Sequence, residues 1–114
     1  MDPGELLPLT DLAFNILVAL NDERLHGYGL VKRLRQLEGR SSLRTGTVYA
    51  ALARLEDQGW VEEANPPEPS DDARRRYYRI TASGLSAARA EAARLRDVLG
   101  RAARGDLLED PAHG

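Results

Sequence analysis

The feature of this sequence that most constrains its fold is a pair of short strand-like segments separated by a proline-rich turn. Residues 60–64 and 76–80 contain the aromatic side chains Trp60, Tyr77 and Tyr78, and residues 65–75 between them are polar and include three prolines. Two short strands around such a tip predict a β-hairpin. Because Tyr77 and Tyr78 are neighbours in one strand, we expect only one of them in the core. We expect Trp60 to be a core residue.

Residues 10–22 and 28–38 predict the first two helices of the chain. Thr10 is suited to cap the first helix through its hydroxyl, and apolar side chains cover most of that helix, which favours burial on more than one side. His26 precedes the second helix, where we expect it to fix the junction through a hydrogen bond. Gly39 is expected to end that helix. The core face of the second helix consists of Leu30, Val31, Leu34 and Leu37.

Residues 46–58 predict a third helix, which Thr45 is expected to cap and Gly59 to end. Three helices followed by a hairpin are the element order of a winged helix-turn-helix, in which the hairpin is the wing. We therefore expect a mainly α fold with a small β-hairpin. The buried face of the third helix consists of Val48, Ala51, Leu52 and Leu55, and its opposite face of Thr47, Tyr49, Ala50, Ala53 and Arg54.

Residues 82–104 predict a long last helix that Thr81 caps. Apolar residues recur along it at alternating spacings of three and four, which makes a narrow seam typical of a coiled coil. Because a chain of this size has little left for the seam to pack against, we expect it to meet a second subunit. The alternative is that the helix folds back onto its own domain. The seam consists of Leu85, Ala88, Ala92, Leu95, Leu99 and Ala102.

The predicted organisation has three parts. Residues 1–80 form a winged helix-turn-helix domain, residues 81–104 form a dimerisation helix, and residues 105–114 form a disordered tail. We find no internal repeat and no second domain.

Composition and motifs exclude most catalytic functions. The chain has 114 residues, no cysteine and two histidines, His26 and His113, so disulfides and thiolate metal sites are excluded. The sequence lacks a phosphate-binding glycine loop, a nucleophile elbow and paired histidines at metal spacing. We therefore expect neither an enzyme nor a metal or cofactor site. Without an apolar stretch of about 18 residues or a signal pattern, the protein is expected in the cytoplasm and not in a membrane.

Charge is distributed along the chain in blocks. The net charge is −2, but residues 24–54 carry +6, residues 55–73 carry −7 and residues 74–79 carry +4. Local blocks of charge decide which surface attracts a polyanion, so the two basic blocks favour a nucleic-acid partner. The acidic block leaves an alternative open, namely a winged helix that does not bind DNA and docks on a partner protein.

A series of short motifs runs from the second helix to the start of the last. In chain order they are His26-Gly27-Tyr28, Thr45-Gly46-Thr47-Val48-Tyr49, Leu52 with Leu55-Glu56, Gly59-Trp60-Val61, Arg76-Tyr77-Tyr78, and Thr81 with Gly84. Together they resemble the PadR-type transcriptional regulators, and the single C-terminal helix is similar to the smaller subfamily. The resemblance implies a homodimeric winged-helix DNA-binding protein, usually a repressor, that recognises inverted-repeat operators and often responds to a small molecule.

In a winged helix the third helix enters the major groove, with its N-terminal residues nearest the base edges. Basic side chains around it can neutralise phosphates. The wing tip is acidic at Glu68, Asp71 and Asp72, so we expect the arginines at the base of the wing to contact DNA instead. The expected DNA-binding residues are Lys32, Arg33, Arg35, Arg40, Arg44, Thr45, Gly46, Thr47, Tyr49, Arg54, Arg74, Arg75 and Arg76.

Three of the assignments above have an alternative. Tyr49 could pack against the second helix instead of contacting DNA. Residues 74–76, all arginine, could pair with Asp71 and Asp72, although such surface pairs contribute about 1 kcal/mol or less. Trp60 could line an effector pocket near the dimer interface instead of lying in the core.

Overall fold

The structure, a computed structural model, describes residues 8–39, 42–68 and 75–108. Within these residues the chain is mainly α-helical with one small antiparallel sheet, which confirms the expected fold class. The elements in chain order are α1 (Asp11–Asp22), β1 (Leu25–His26), α2 (Gly27–Glu38), α3 (Thr45–Asp57), β2 (Val61–Ala64), β3 (Tyr77–Ile80) and α4 (Ala82–Arg104).

The sheet has three strands in the order β1-β3-β2, whereas the sequence predicted only the β2–β3 hairpin. The additional strand β1 pairs Leu25 with Tyr78 and His26 with Tyr77. A two-residue strand is too short to show an alternating pattern in the sequence, and its pairing partner lies about 50 residues further along the chain. β3 is therefore the central strand of the sheet.

The central position of β3 explains why both tyrosines are buried, at 7% and 6% exposure, although only one was expected in the core. Neighbouring residues of a strand point to opposite faces. Tyr78 belongs to the main hydrophobic core. Tyr77 meets the ring of His26 edge-on, with the ring centroids 5.4 Å apart, so the other face of β3 is also covered.

The hydrophobic core lies between α1, α2 and α3 and is closed by the sheet and by the start of α4. Leu30, Val31 and Leu34 of α2 are fully buried, as predicted, but Leu37 is 51% exposed. Leu37 lies in the last turn of α2, beyond Leu34, the last apolar residue of that helix to reach the core. Trp60 is 4% exposed and belongs to the core.

Two of the three predicted threonine caps are confirmed. The hydroxyl of Thr10 accepts a hydrogen bond from the Ala13 amide, and the Thr81 hydroxyl accepts one from the Gly84 amide, both at 3.0 Å. The prediction for Thr45 is wrong, because Thr45 is already the first helical residue of α3. Arg44 is the N-cap residue instead and makes no side-chain capping bond.

The helix α4 packs against α1 and β3 mainly through positions beside the predicted seam, although Ala88 of the seam also packs against the core. Its buried residues are Gly84, Ala87 and Glu91, whereas Leu95 is only partly covered and Leu99 is 52% exposed. A Cβ atom at Gly84 would overlap the carbonyl oxygen of Trp60, so glycine permits the close approach of α4 to the core. The helix thus does fold back onto its own domain, but on positions next to the seam.

The predicted tail is described only as far as residue 108. Gly105 caps α4, and the amide of Leu107 donates to the carbonyl of Ala102 at 2.9 Å, so the first residues of that segment form a hydrogen-bonded turn. Residues 109–114 lie outside the described residues. The division into residues 1–80 and residues 81–104 stays a prediction.

Glu91 is a buried carboxylate on α4 that the sequence analysis did not single out. It is 2% exposed and accepts hydrogen bonds from the Leu9 amide at 3.0 Å and from Nε of Arg94 at 2.5 Å. The bond from Arg94 lowers the pKa of Glu91 below its ordinary value, and the Leu9 amide lowers it further, against the opposing effect of burial. Glu91 therefore ties the segment before α1 to α4.

Glu91→Gln is expected to lower the free energy of unfolding by about 1–3 kcal/mol near neutral pH, because the charge-assisted bonds to Arg94 are lost. The lowered pKa means that this stabilisation is fully present above the ordinary glutamate pKa and is lost as the pH falls through the folded-state pKa. Urea unfolding at neutral and at acid pH measures it, and the difference between wild type and variant should shrink in acid. Asp97→Asn, at an exposed position of the same helix, is the control. An equal loss in both variants would contradict the role of Glu91.

Candidate functional site

The N-terminal half of α3 presents an exposed polar face, as the sequence predicted. Thr45, Gly46 and Thr47 are exposed, and the buried residues of the helix lie on its other side. Since no side chain caps α3, its first backbone amides keep their hydrogen-bonding capacity for another partner. The positive end of the helix dipole adds to the attraction for an anion.

Tyr49 packs against the second helix, which is the structural alternative that the sequence left open; its contact with DNA stays a prediction. Its ring lies against the start of α2, so closely that a Cβ atom at Gly27 would overlap it, yet 43% of the residue remains exposed. Because Gly27 has no side chain, the ring of Tyr49 can pack closely against the start of α2. Gly46, in contrast, has open surroundings, because a Cβ atom at this residue would meet nothing within 4 Å.

A cleft of about 330 Å³ lies where the start of α2, the outer face of α3 and the beginning of β3 meet. His26 lines the cleft. It also caps α2, because its Nδ1 accepts a hydrogen bond from the Gly29 amide at 3.0 Å. This confirms the expected hydrogen bond at the junction. Nη1 of Arg75 lies 2.9 Å from Nε2 of the same ring. The cleft is lined by His26, Gly27, Tyr28, Tyr49, Arg75, Arg76 and Tyr78.

The structure divides the predicted basic residues of α2 into exposed and internally paired groups. Lys32 is exposed and stands 5.8 Å above the ring of Tyr28. Arg33 pairs with Glu23 and lies near Asp22, at the end of α1. Nη2 of Arg35 donates to the carbonyl of Leu43 at 2.9 Å, a bond that fixes the chain before α3.

Arg44 and Arg54 are both exposed, one before α3 and one in its last turn. Arg44 is therefore close to the exposed helix start, whereas Arg54 belongs to the opposite end of the helix. Arg40 and Arg74, which the sequence also assigned to the DNA-binding set, lie outside the described residues.

At the base of the wing, acidic side chains of β2 pair with Arg76, which immediately precedes β3, and with Arg79 of β3. Arg76 lies 3.0 Å from Glu63, and Arg79 lies 2.6 Å from Glu62. A hydrogen bond with Tyr78 and the charge of Glu63 raise the pKa of Arg76 above its ordinary value. The expected alternative for the arginines, pairing with Asp71 and Asp72, lies outside the described residues. Among the described residues, Arg76 pairs with Glu63 of the neighbouring strand.

Two further cavities border the α-helices. One of about 180 Å³ is bounded by Trp60, by Arg54 and Gln58 of α3, and by Leu9 and Thr10 before α1. The other, of about 280 Å³, is a groove between α1 and α4, where Leu85, Ala88 and Ala92 of the predicted seam face Phe14 and Val18. The described residues include no group of three side chains suited to a metal ion, and none of their helices is long and apolar enough to cross a bilayer.

A family model and two solved structures identify one family. The model of the transcriptional regulator PadR-like family matches residues 16–90. The crystal structure of a PadR family transcription regulator from Clostridium difficile R20291 is 25% identical with a TM-score of 0.70, covering 83% of this chain and 97% of that one. RosR of H. salinarum is 26% identical with a TM-score of 0.63, covering 83% and 78%.

A PadR-like transcriptional regulator from Bacillus cereus shares the fold with a TM-score of 0.70 at 22% identity, covering 87% of this chain and 93% of that one. No curated protein sequence matches the chain.

Gly27→Ala is expected to lower the free energy of unfolding by about 1–3 kcal/mol, because the added methyl group overlaps the ring of Tyr49. Gly46→Ala is the matched control and should be neutral or stabilising by up to about 1 kcal/mol, since nothing lies near that position. In the double variant Gly27→Ala/Tyr49→Ala the overlap is gone, so the two effects should not add. Equal unfolding curves for Gly27→Ala and Gly46→Ala would refute the close approach.

Proposed function

Because the chain belongs to the transcriptional regulator PadR-like family, we propose that it binds double-stranded DNA as a homodimer and represses transcription from an inverted-repeat operator. The observation that carries this proposal is the start of α3. There Arg44 lies next to a helix end that has no side-chain cap. The same turn carries two exposed threonines and the half-exposed ring of Tyr49.

The chemistry of this surface suits a DNA groove. The first turn of α3 would enter the major groove, where threonine hydroxyls and the Arg44 guanidinium can bond to base edges or phosphates. Lys32 and Arg75 would flank the helix and contact the backbone. Arg33 pairs with Glu23, and Arg35 donates to the carbonyl of Leu43. Both are therefore less suited to contact DNA than the sequence analysis expected.

Dimerisation would use the predicted seam of α4. Leu85, Ala88 and Ala92 border the groove against α1, and Leu95 and Leu99 continue it on the less covered half of the helix. Ala88 packs partly against the core, so the half of the seam with Leu95 and Leu99 is the more available to the α4 helix of a second copy. A dimer of this kind would place two α3 helices at half-sites about one turn of DNA apart.

A small-molecule effector would bind in the cavity beside Trp60. That cavity lies between α3 and the segment before α1. A ligand bound there would therefore contact the helix that we propose to enter the DNA groove. Trp60 is the only tryptophan of the chain, and its fluorescence would report such binding directly.

The experiment that tests the function is fluorescence anisotropy on a duplex covering the region upstream of the gene, with a scrambled duplex and a salt series. Selective binding with a steep decrease of affinity with salt is expected. Equal binding to both duplexes would contradict a specific operator in that region. Absence of binding even at low salt would favour the alternative, a protein-interaction module that uses the acidic residues Glu62 and Glu63.

Arg44→Ala and Tyr49→Ala are expected to weaken operator binding by roughly 5- to 100-fold each, because both side chains stand at the helix start that would enter the groove. Arg101→Ala removes the same charge from an exposed position of α4 and should leave affinity unchanged. Urea unfolding of each variant shows whether the fold is intact. If both α3 variants keep the affinity of the wild type, α3 is not the reading helix.

Leu95→Asp is expected to convert the dimer to a monomer, because the charge would be buried in an apolar seam. Light scattering gives the mass of each protein. Ser86→Asp adds the same charge at an exposed position of α4 and should leave the dimer intact. A Leu95→Asp variant of dimeric mass would refute the seam as the interface.

A further inference from the structure

Exposed apolar side chains are concentrated at the end of α4 and in the turn that follows it. In the described part of the chain, seven large apolar side chains are exposed, and four of them lie between residues 98 and 108: Val98, Leu99, Leu107 and Leu108. Leu107 is the most exposed of the seven, at 75%. Single apolar residues on a surface need no explanation, whereas a group of them marks an interaction surface.

The chain after α4 folds into a turn that directs Leu107 back toward the helix. The amide of Leu107 donates to the carbonyl of Ala102 at 2.9 Å, and the amide of Asp106 donates to the carbonyl of Ala103 at 3.1 Å. Together with the left-handed backbone of Asp106, at φ 62°, these two bonds make a Schellman motif. Leu107 is therefore held at the level of Ala102, the last residue of the predicted seam.

The other end of α4 borders an apolar groove of about 280 Å³. Its apolar walls include Phe14 and Val18 of α1 and Leu85 and Ala88 of α4. Each of these four side chains is only partly buried within one copy of the chain. Among the described residues that line the groove, Arg89 is the only charged one. The groove is thus suited to a single apolar side chain with an acidic neighbour.

An antiparallel pair of α4 helices brings these two surfaces together. The first half of α4 packs on its own domain, whereas residues 92–104 are exposed or only partly covered. In a parallel pair, each groove would face the other groove. In an antiparallel pair, the exposed end of one helix faces the groove of the other. With Leu107 opposite Leu85, the two-fold axis passes beside Arg96, and Leu95 and Leu99 of both copies lie near the centre of the contact.

We propose that Leu107 of each copy inserts into the groove between α1 and α4 of the other copy. This rests on the homodimer of the proposed function, and it adds to the helix seam a contact made by the turn after α4. The two-fold relation gives two such contacts in every dimer, because each copy supplies one leucine and one groove.

Charge complementarity supports a second copy as the occupant of the groove. Arg89 is exposed at the groove, and Asp106, directly before Leu107, is exposed as well. When Leu107 enters the groove, Asp106 lies within reach of Arg89 of the other copy. The apolar contact and the ion pair therefore require the same arrangement of the two chains.

The contact would fix the position of each domain relative to its partner. The groove is walled by α1, which also packs against α2 and α3. A side chain seated between α1 and α4 therefore holds the whole domain, including the α3 helix that we propose to enter the DNA groove. The seam alone would fix the two α4 helices only near their centre.

An introduced pair of cysteines tests the contact directly, because the chain has no cysteine of its own. In Leu85→Cys/Leu107→Cys, about 28 Å of helix separates the two residues within one copy, and a disulfide requires Cα atoms within about 7 Å. A disulfide between them must therefore join two copies. We expect oxidation to give a covalent dimer on a non-reducing gel, which a reductant converts back to the monomer.

The matched control is Leu37→Cys/Leu107→Cys, in which the first cysteine replaces a leucine of α2 that is 51% exposed. It should remain monomeric on the same gel. The single variants Leu85→Cys and Leu107→Cys should also remain monomeric, because identical residues lie far apart in an antiparallel pair.

Leu107→Ala is expected to weaken the dimer by about 10- to 100-fold, because each dimer loses two buried leucine side chains. Sedimentation of a dilution series gives the dissociation constant. Leu37→Ala removes an equally apolar exposed side chain from the domain and should leave this constant unchanged. Because Leu107 is outside the core, urea unfolding of the monomeric fraction should be the same as for the wild type.

The ion pair is tested by Arg89→Gln and Asp106→Asn, both at exposed positions. Asparagine tolerates the left-handed backbone of residue 106, so the turn is kept. Each variant should weaken the dimer by about 2- to 10-fold, and the double variant should lose less than the sum of the two single losses. Losses that add fully would show that the two residues do not meet.

The outcomes separate this contact from the proposed dimer. If Leu107→Ala keeps the dissociation constant of the wild type and the Leu85/Leu107 cysteine pair forms no crosslink, the contact is refuted. The seam dimer then stands, provided that Leu95→Asp still converts it to a monomer. If the wild type is monomeric at every concentration, the proposed homodimer fails together with the contact.

Discussion

The ring of His26 is the interaction on which the arrangement of this fold depends. One nitrogen caps α2, the ring edge meets Tyr77 of the central strand, and the backbone of the same residue pairs with Tyr77 in the sheet. The start of α2 and the wing are therefore positioned by a single side chain. A flexible residue could satisfy one of these contacts, but only a rigid ring with two separated nitrogens can cap a helix on one side and face an arginine on the other.

The close contact between Gly27 and Tyr49 places the third helix on this framework. Because α2 begins with a residue that has no side chain, the ring of Tyr49 can lie against it and still be half exposed. The ring edge and the hydroxyl of Tyr49 lie against Gly27, while other parts of the side chain remain exposed. A large aromatic residue on the surface of α3 thus packs against α2 through one edge of its ring.

The features that could be predicted from the sequence are those with a local cause. The hydroxyls of Thr10 and Thr81 each accept a hydrogen bond from the amide three residues further along the chain. The spacing of apolar residues in α3 likewise predicts which face of that helix is buried. The features that were missed depend on distant residues. Strand β1 exists only because β3 pairs with it, and Glu91 is buried because the Leu9 amide, 82 residues away, bonds to it. Thr45 was misassigned because Arg44 and Thr45 both precede the helical pattern, and only the backbone conformation distinguishes the cap from the first helical residue.

The two faces of α4 give the fold a way to connect subunit contact with the DNA-binding surface. Gly84 meets the Trp60 carbonyl and Glu91 holds the segment before α1, so one face of the helix is rigidly joined to the core. The seam that we propose for dimerisation lies one position further around the same helix. A rotation of α4 that changes the subunit contact must therefore move the segment at Leu9, and this segment borders the Trp60 cavity together with the last turn of α3. In the dimer that we propose, these contacts would connect the subunit interface to the cavity and to the last turn of α3.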